Sequence, residues 1–252
     1  MSFEQYSRVH HPLPYVLDVH QGKGRLIYFG FKHSRDPSDP QFVTLRKLWV
    51  EEKPQLVLNE DISAVQRATL EESIRYDGER GALAFWAKQD HVPMRSIDMR
   101  WRDEFMVLQR KMGPMKVKMF YLIRGLEQDL RRPSGAGVST DVVAQRILDM
   151  FRNEGIDFPP HSIEDVDRYW PVLRIKGDWR KPSIAWIDPT GNGSLSKVSR
   201  RSSEIRDAHM VSVLTDELKK GKRILAVVGA SHVVMQEPAL PGVVKRISGL
   251  HK

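Results

Sequence analysis

An α/β fold, with a mostly parallel central sheet flanked by helices, is what the sequence predicts, and three observations carry it. From Gly24 onward, short apolar runs alternate with stretches of helical periodicity, the order expected of parallel strands joined by crossover helices. Two of those runs, near opposite ends of the chain, finish alike: Arg25-Leu-Ile-Tyr-Phe-Gly-Phe-Lys-His33 and Arg223-Ile-Leu-Ala-Val-Val-Gly-Ala-Ser-His232 each read as a strand followed by Gly-x-x-His. Between them, Trp101 to Phe151 is strongly helical and reads as a middle insertion. A single domain over 1–252, with its core at about 24–233, suits a chain of 252 residues.

Taken in order, Tyr15–His20 and Gly24–Phe31 are extended runs rich in Val, Leu, Ile and Tyr. The intervening Gln-Gly-Lys-Gly suits a hairpin. The polar segment 34–40, broken by two prolines, is a loop, and a helix begins near Ser38 or Asp39 and runs to about Glu52. Gln55–Glu60 is a short apolar strand closing on a carboxylate. Residues 62–75 read as a helix burying Ile62, Val65, Leu70 and Ile74. Tyr76-Asp-Gly-Glu-Arg-Gly81 interrupts it, and a helix resumes over Ala82–Asp90. Val92–Asp98 is a further strand, again ending on an acid.

Three helices follow at Arg102–Lys111, Met115–Leu130 and Thr140–Arg152, separated by Gly113-Pro114 and by the break from Arg132 to Val138. Ser139 or Thr140 serves as N-cap of the last. Trp101, Met115 and Met119 could mark an exposed helical face. Residues 153–200 hold many prolines and glycines and read as a variable, lid-like segment facing substrate. Ser202–Lys220 is helical and leads to the strand that ends at His232. The tail from Pro238 is short and basic.

Composition removes several chemistries. Without cysteine there are no disulfides, thiolate metal sites or Cys nucleophiles. No apolar run approaches the length that crosses a bilayer, and the N-terminus lacks the apolar stretch of a signal peptide, so a cytoplasmic protein without a membrane partner is expected. The net charge of +8 permits anionic partners. Its basic residues are scattered, however, and no nucleic-acid module accompanies them, so a solvated basic surface is expected rather than nucleic-acid binding. Oligomeric state is left open.

In an open parallel sheet, ligands bind beyond the carboxyl ends of the strands. Four polar groups lie there: His33, Glu60, Asp98 and His232. Imidazole and carboxylate ligands suit Zn²⁺, Mn²⁺ or Fe²⁺, and an open coordination position would hold a hydrolytic water. The glycines ahead of each histidine permit a sharp turn and close backbone approach. Blander roles fit the same residues. His33 could be a surface histidine and His232 a hydrogen-bonded core histidine. Glu60 and Asp98 could cap helices, and Glu79 could pair with Arg80 in a solvated turn.

The paired Gly-x-x-His motifs, with carboxylates between them, resemble the TIKI/TraB superfamily, which includes erythromycin esterase-like and ChaN-like proteins. Gly30-Phe-Lys-His33 is similar to its first motif, Leu56-Val-Leu-Asn-Glu60 to its strand ending in Glu, and Gly78-Glu-Arg-Gly81 to a following acidic position. Arg206-Asp-Ala-His-Met210, ahead of Ile224–His232, is similar to the helix that precedes the second Gly-x-x-His. The resemblance implies an erythromycin esterase-like α/β fold and a hydrolase that cleaves a peptide, amide or ester bond of a peptide or small-molecule substrate. Divalent metal (Zn, Mn, Fe or Co) is implied by the TIKI branch, and haem binding without turnover by the ChaN-like branch.

On this reading His33, Glu60 and His232 form the core of the site. They hold either a metal or a directly activated water, and in the latter case His33 is the general base oriented by Glu60. Arg206 would stabilise a developing oxyanion, or else pair with Asp207 or Glu79. Glu79 is an auxiliary catalytic candidate, and Arg35, Asp98 and Ser231 are candidates for substrate contact. Ser34 and Ser231 beside the histidines lack the Gly-x-Ser-x-Gly elbow of a serine nucleophile.

Overall fold

The computed structural model describes residues 1, 3–130 and 137–247, with side chains through Val244. The expected break from Arg132 to Val138 falls mostly outside the described residues. In chain order the first elements are α1 (Phe3–Ser7), β1 (Tyr15–Gln21), β2 (Gly24–Phe31), α2 (Pro40–Glu52), β3 (Leu56–Asn59), α3 (Leu70–Gln89) and β4 (Met94–Ser96). Then come α4 (Trp101–Met112), α5 (Pro114–Leu130), α6 (Thr140–Asn153), α7 (Ile163–Tyr169), α8 (Ser194–Lys219), β5 (Arg223–Gly229), α9 (Ala230–Gln236) and β6 (Val243–Ile247). They form two compact units, Met1–Asp98 with Asp207–Lys252, and Met99–Arg206. No described helix is long and apolar enough to cross a membrane.

The first unit is built on a six-stranded sheet in the order β4-β3-β5-β2-β1-β6. Strands β4, β3, β5 and β2 are mutually parallel, while β1 runs antiparallel to both β2 and β6. The sheet is therefore mixed and mostly parallel. Alternate residues serve its two faces, as strand geometry requires. Leu26 and Tyr28 of β2, Ala226 and Val228 of β5 and Leu58 of β3 pack with Met210, Leu214 and Leu218 of α8 and Val233 of α9. Ile27, Phe29, Phe31, Val57, Leu225 and Val227 face the other way, onto Phe42, Leu45 and Trp49 of α2 and Ile74, Leu83 and Trp86 of α3. Both faces being buried explains why these strands read as continuous apolar runs.

Several boundaries depart from the sequence reading. Residues 61–69 are not helical, and Ile62 and Val65 are 50% and 59% exposed rather than buried. Asp61 instead fastens the start of this loop, accepting from the Ser63 amide and hydroxyl and from Arg80. The interruption expected over residues 76–81 is present: two helices meet across a kink at Gly78, and together they make up α3. The basic tail contributes β6, whose backbone pairs with β1 at the sheet edge.

The second unit has a core of its own. Phe105, Leu108, Phe120, Leu122, Leu148 and Phe151 from α4, α5 and α6 are fully buried. Residues 153–200 supply much of the rest of that core through Trp170, Leu173, Trp179, Ile187, Leu195 and Val198. These apolar side chains of the segment are structural within its own unit. The Trp179 indole donates to Asp167 and the Trp170 indole to the Gly177 carbonyl, so even the irregular parts have fixed partners. Met119 is fully buried, and Trp101 and Met115 pack on the same cluster, so they mark no exposed face.

Candidate functional site

Strands β2 and β5 end level with one another and β3 ends two residues short of them, and this brings the Gly-x-x-His motifs and Glu60 together. Phe31 is in register with Gly229, and Asn59 with Val227. The Asn59 side chain donates to the Val227 carbonyl at 2.6 Å, pinning the end of β3 to β5. Glu60 is the next residue, and its Oε1 accepts the Gly229 N–H at 2.7 Å. On the other side the Ser96 hydroxyl donates to the Glu60 carbonyl at 2.9 Å and accepts the Asp98 N–H at 3.2 Å. Asp98 is thus tied to the Glu60 backbone through Ser96.

His33 lies just past β2 with its side chain 68% exposed. Its Nδ1 is 2.5 Å from Glu79 Oε1. Glu79 reaches it because α3 folds sharply one residue earlier, where Gly78 adopts φ 60° and ψ −140°, a conformation that side-chain-bearing residues avoid. A Cβ at Gly78 would stand 2.9 Å from the Ser34 carbonyl oxygen, and one at Gly81 only 2.1 Å from that of Ser73. The Gly-Glu-Arg-Gly sequence is therefore a device for kinking a helix against the His33 loop, not a solvated turn. The Glu79 hydrogen bond raises the His33 pKa. Burial opposes the rise, while the charges of Glu79 and Glu60 add to it.

His232 has the opposite setting. It sits inside α9, in the helix that opens directly from β5, and its side chain is 11% exposed. Nδ1 is 2.6 Å from Asp207 Oδ1, and Nε2 is 3.7 Å from Glu60 Oε2. The same Asp207 oxygen accepts from Gln236 Nε2 at 2.7 Å, and the Tyr28 hydroxyl donates to Gln236 Oε1 at 2.7 Å. Burial pushes the Tyr28 phenol well up, with the charges of Glu60 and Asp207 adding, so it stays a neutral donor.

The two glycines act by closeness and not by turning. Gly30 lies within β2, and Gly229 caps α9 at φ −57°. A Cβ at Gly30 would be 2.9 Å from the Ala230 Cα, so its bareness lets α9 sit on β2. A Cβ at Gly229 would be 3.0 Å from His33 Nε2 and 3.5 Å from Glu60 Oε1. That point locates the site: His33 Nε2, Glu60 and the bare edge of Gly229 share one small volume.

Arg35 is exposed beside Gly78, and Ser231 is half-buried in the first turn of α9. Arg206 closes the second unit, buried there; its charge, with that of Arg124, draws down a Glu104 carboxyl that burial raises. The acids that the sequence reading offered as its ion-pair partners, Asp207 and Glu79, each hold a histidine. Asp207 as a histidine partner, Gln236 and Tyr28 were missed. One signal was available: Asp207 and Met210, three apart in α8, both meet Gln236.

Among the described residues, no three His, Asp or Glu side chains come together as a metal-binding set. What His33 and His232 can do themselves follows from their Nδ1 partners. An imidazole that gives its Nδ1–H to a carboxylate presents a more basic Nε2. No protein-family profile, curated protein or solved structure matches the chain.

Proposed function

We propose that this protein is a hydrolase of the TIKI/TraB type, with an erythromycin esterase-like fold, cleaving an ester, amide or peptide bond with water activated at His33, Glu60 and His232. One observation carries the reading: both histidines hold Nδ1 against a private carboxylate and turn Nε2 toward Glu60 and Gly229. His33 Nε2, on the solvent side, takes a proton from water as its oxygen attacks the substrate carbonyl. The same nitrogen returns that proton to the leaving alcohol or amine as the bond to it breaks. Glu60, anchored by the Gly229 N–H, orients the water. His232, buried beside Glu60, holds Glu60 Oε2 and faces the developing negative charge in its imidazolium form, when Nε2 carries the second ring proton. The motif resemblance and the alternating αβ order support the same reading.

The test is a panel of chromogenic esters, anilides and short peptides, run with and without chelator. Turnover is expected, with His33→Ala and His232→Ala each lowering it about 10²–10⁴-fold at unchanged circular dichroism. A chelator-sensitive rate would add a divalent cation to this site. Absence of turnover, with a stoichiometric Soret band after haem addition, would replace the hydrolase with a carrier.

A further inference from the structure

The geometry points to Tyr28, Gln236 and Asp207 as positioning residues, a buried hydrogen-bond line that holds His232 as its Nδ1–H form and so aims Nε2 at Glu60. The inference rests on the hydrolytic reading for its consequence, although the line itself is a matter of donors and acceptors. Asp207 Oδ1 receives two neighbours, His232 Nδ1 at 2.6 Å and Gln236 Nε2 at 2.7 Å. An ionised carboxylate only accepts, so both must donate. Gln236 is thereby fixed with its amide nitrogen toward Asp207 and Met210 and its oxygen toward Tyr28. Flipping that amide would set oxygen against oxygen at Asp207. The fully buried Tyr28 closes the far end by donating its only proton to Gln236 Oε1 at 2.7 Å.

Every link therefore runs toward Asp207, and none needs water. With Nδ1–H committed there, Nε2 of the neutral ring presents its lone pair toward Glu60, 3.7 Å away, and carries a proton there only as imidazolium. A proton moving in the site can then rest between His232 and Glu60 and nowhere else on that ring. Removing Asp207 would release the ring to its other form, because Nε2–H could then donate to the Glu60 carboxylate. Among the described residues His33 has no counterpart to this line. Its Nδ1 partner Glu79 stands next to an exposed ring.

Long-range ¹H–¹⁵N correlation of the imidazoles in the full chain tests the assignment without a substrate, with His232→Asn identifying the resonances. The neutral ring is expected as the Nδ1–H form in the wild type and as the Nε2–H form in Asp207→Ala. Tyr28→Phe and Gln236→Leu should leave the fold intact and speed solvent exchange of the Nδ1 proton on the order of tenfold, one hydrogen bond's worth each. A wild-type Nε2–H form would overturn the line, as would Asp207→Ala retaining Nδ1–H. Unchanged exchange in both Tyr28→Phe and Gln236→Leu would overturn their part in it. Should Asp207→Ala fail to fold, the wild-type and Tyr28→Phe spectra still decide. An Nδ1–H form in a protein that turns over no ester, amide or peptide would sink the hydrolase and leave the line standing.

Discussion

His33 and His232 end the same sequence motif, yet the fold treats them in opposite ways. His33 stands on a loop, 68% exposed, with one carboxylate behind it. His232 is in a helix, 11% exposed, at the head of a buried line of polar groups. Equal spelling thus yields unequal parts: an accessible group that can meet water and substrate, and an enclosed group whose orientation is fixed. On the proposed hydrolytic reading, the first would handle protons and the second would keep the geometry.

The sharpest way to break this comparison is to separate activity from stability. His33→Ala and His232→Ala are both expected to lower turnover about 10²–10⁴-fold. Their stabilities should diverge. Loss of the exposed ring should stay within about 0.5 kcal/mol in urea unfolding. Loss of His232 should cost about 1–3 kcal/mol, because its buried ring leaves a cavity where the exposed His33 ring leaves none. Equal stability losses would erase the distinction between the two settings.

Gly229→Ala probes the volume they share. Its Cβ would fall 3.0 Å from His33 Nε2, and about a 10²-fold loss of turnover is expected from displaced groups. Gly78→Ala probes how Glu79 is delivered to His33. It forces φ near 60° on a residue with a side chain and should cost about 1–3 kcal/mol on thermal or urea unfolding. A neutral result there would mean that the kink is not required.

The smallest effect is on pH dependence, and its sign follows from the raised His33 pKa. The ring acts as a base only when neutral, so the acid limb of the rate should lie above the ordinary histidine value. Glu79→Gln removes the principal cause of the rise and should move that limb to lower pH. The same pair stabilises the fold fully below the unfolded histidine value and loses that stabilisation as pH rises through the raised one. The stability gap between wild type and Glu79→Gln should therefore close with increasing pH. A limb that stays put or moves upward would deny Glu79 its place behind His33.

Much of the framework was legible in the sequence because local rules and burial agree there. Strand β2 was bounded correctly, because apolar residues flanked by Gly and Lys leave little choice. Pro40 opens α2 with Asp39 as its side-chain cap, one residue from the expected start. The errors came where tertiary contacts override local pattern. Ile62 and Val65 look like a helix face, but the Asp61 turn and its Arg80 contact hold that stretch open. The tail that forms β6 carries charge and is held at the sheet edge by pairing with β1. In the site, His33, Glu60 and His232 were readable as strand-end groups. Asp207, Gln236 and Tyr28 were not, since a contact across 208 residues between Tyr28 and Gln236 leaves no local trace.

The central claim is that two differently housed histidines serve one reaction at Glu60. Steady-state hydrolysis by wild type, His33→Ala, His232→Ala and the double variant tests it most directly. The account expects the double variant to be little worse than either single one, as for residues acting as a unit. Losses that multiply, or full turnover in either single variant, would contradict it.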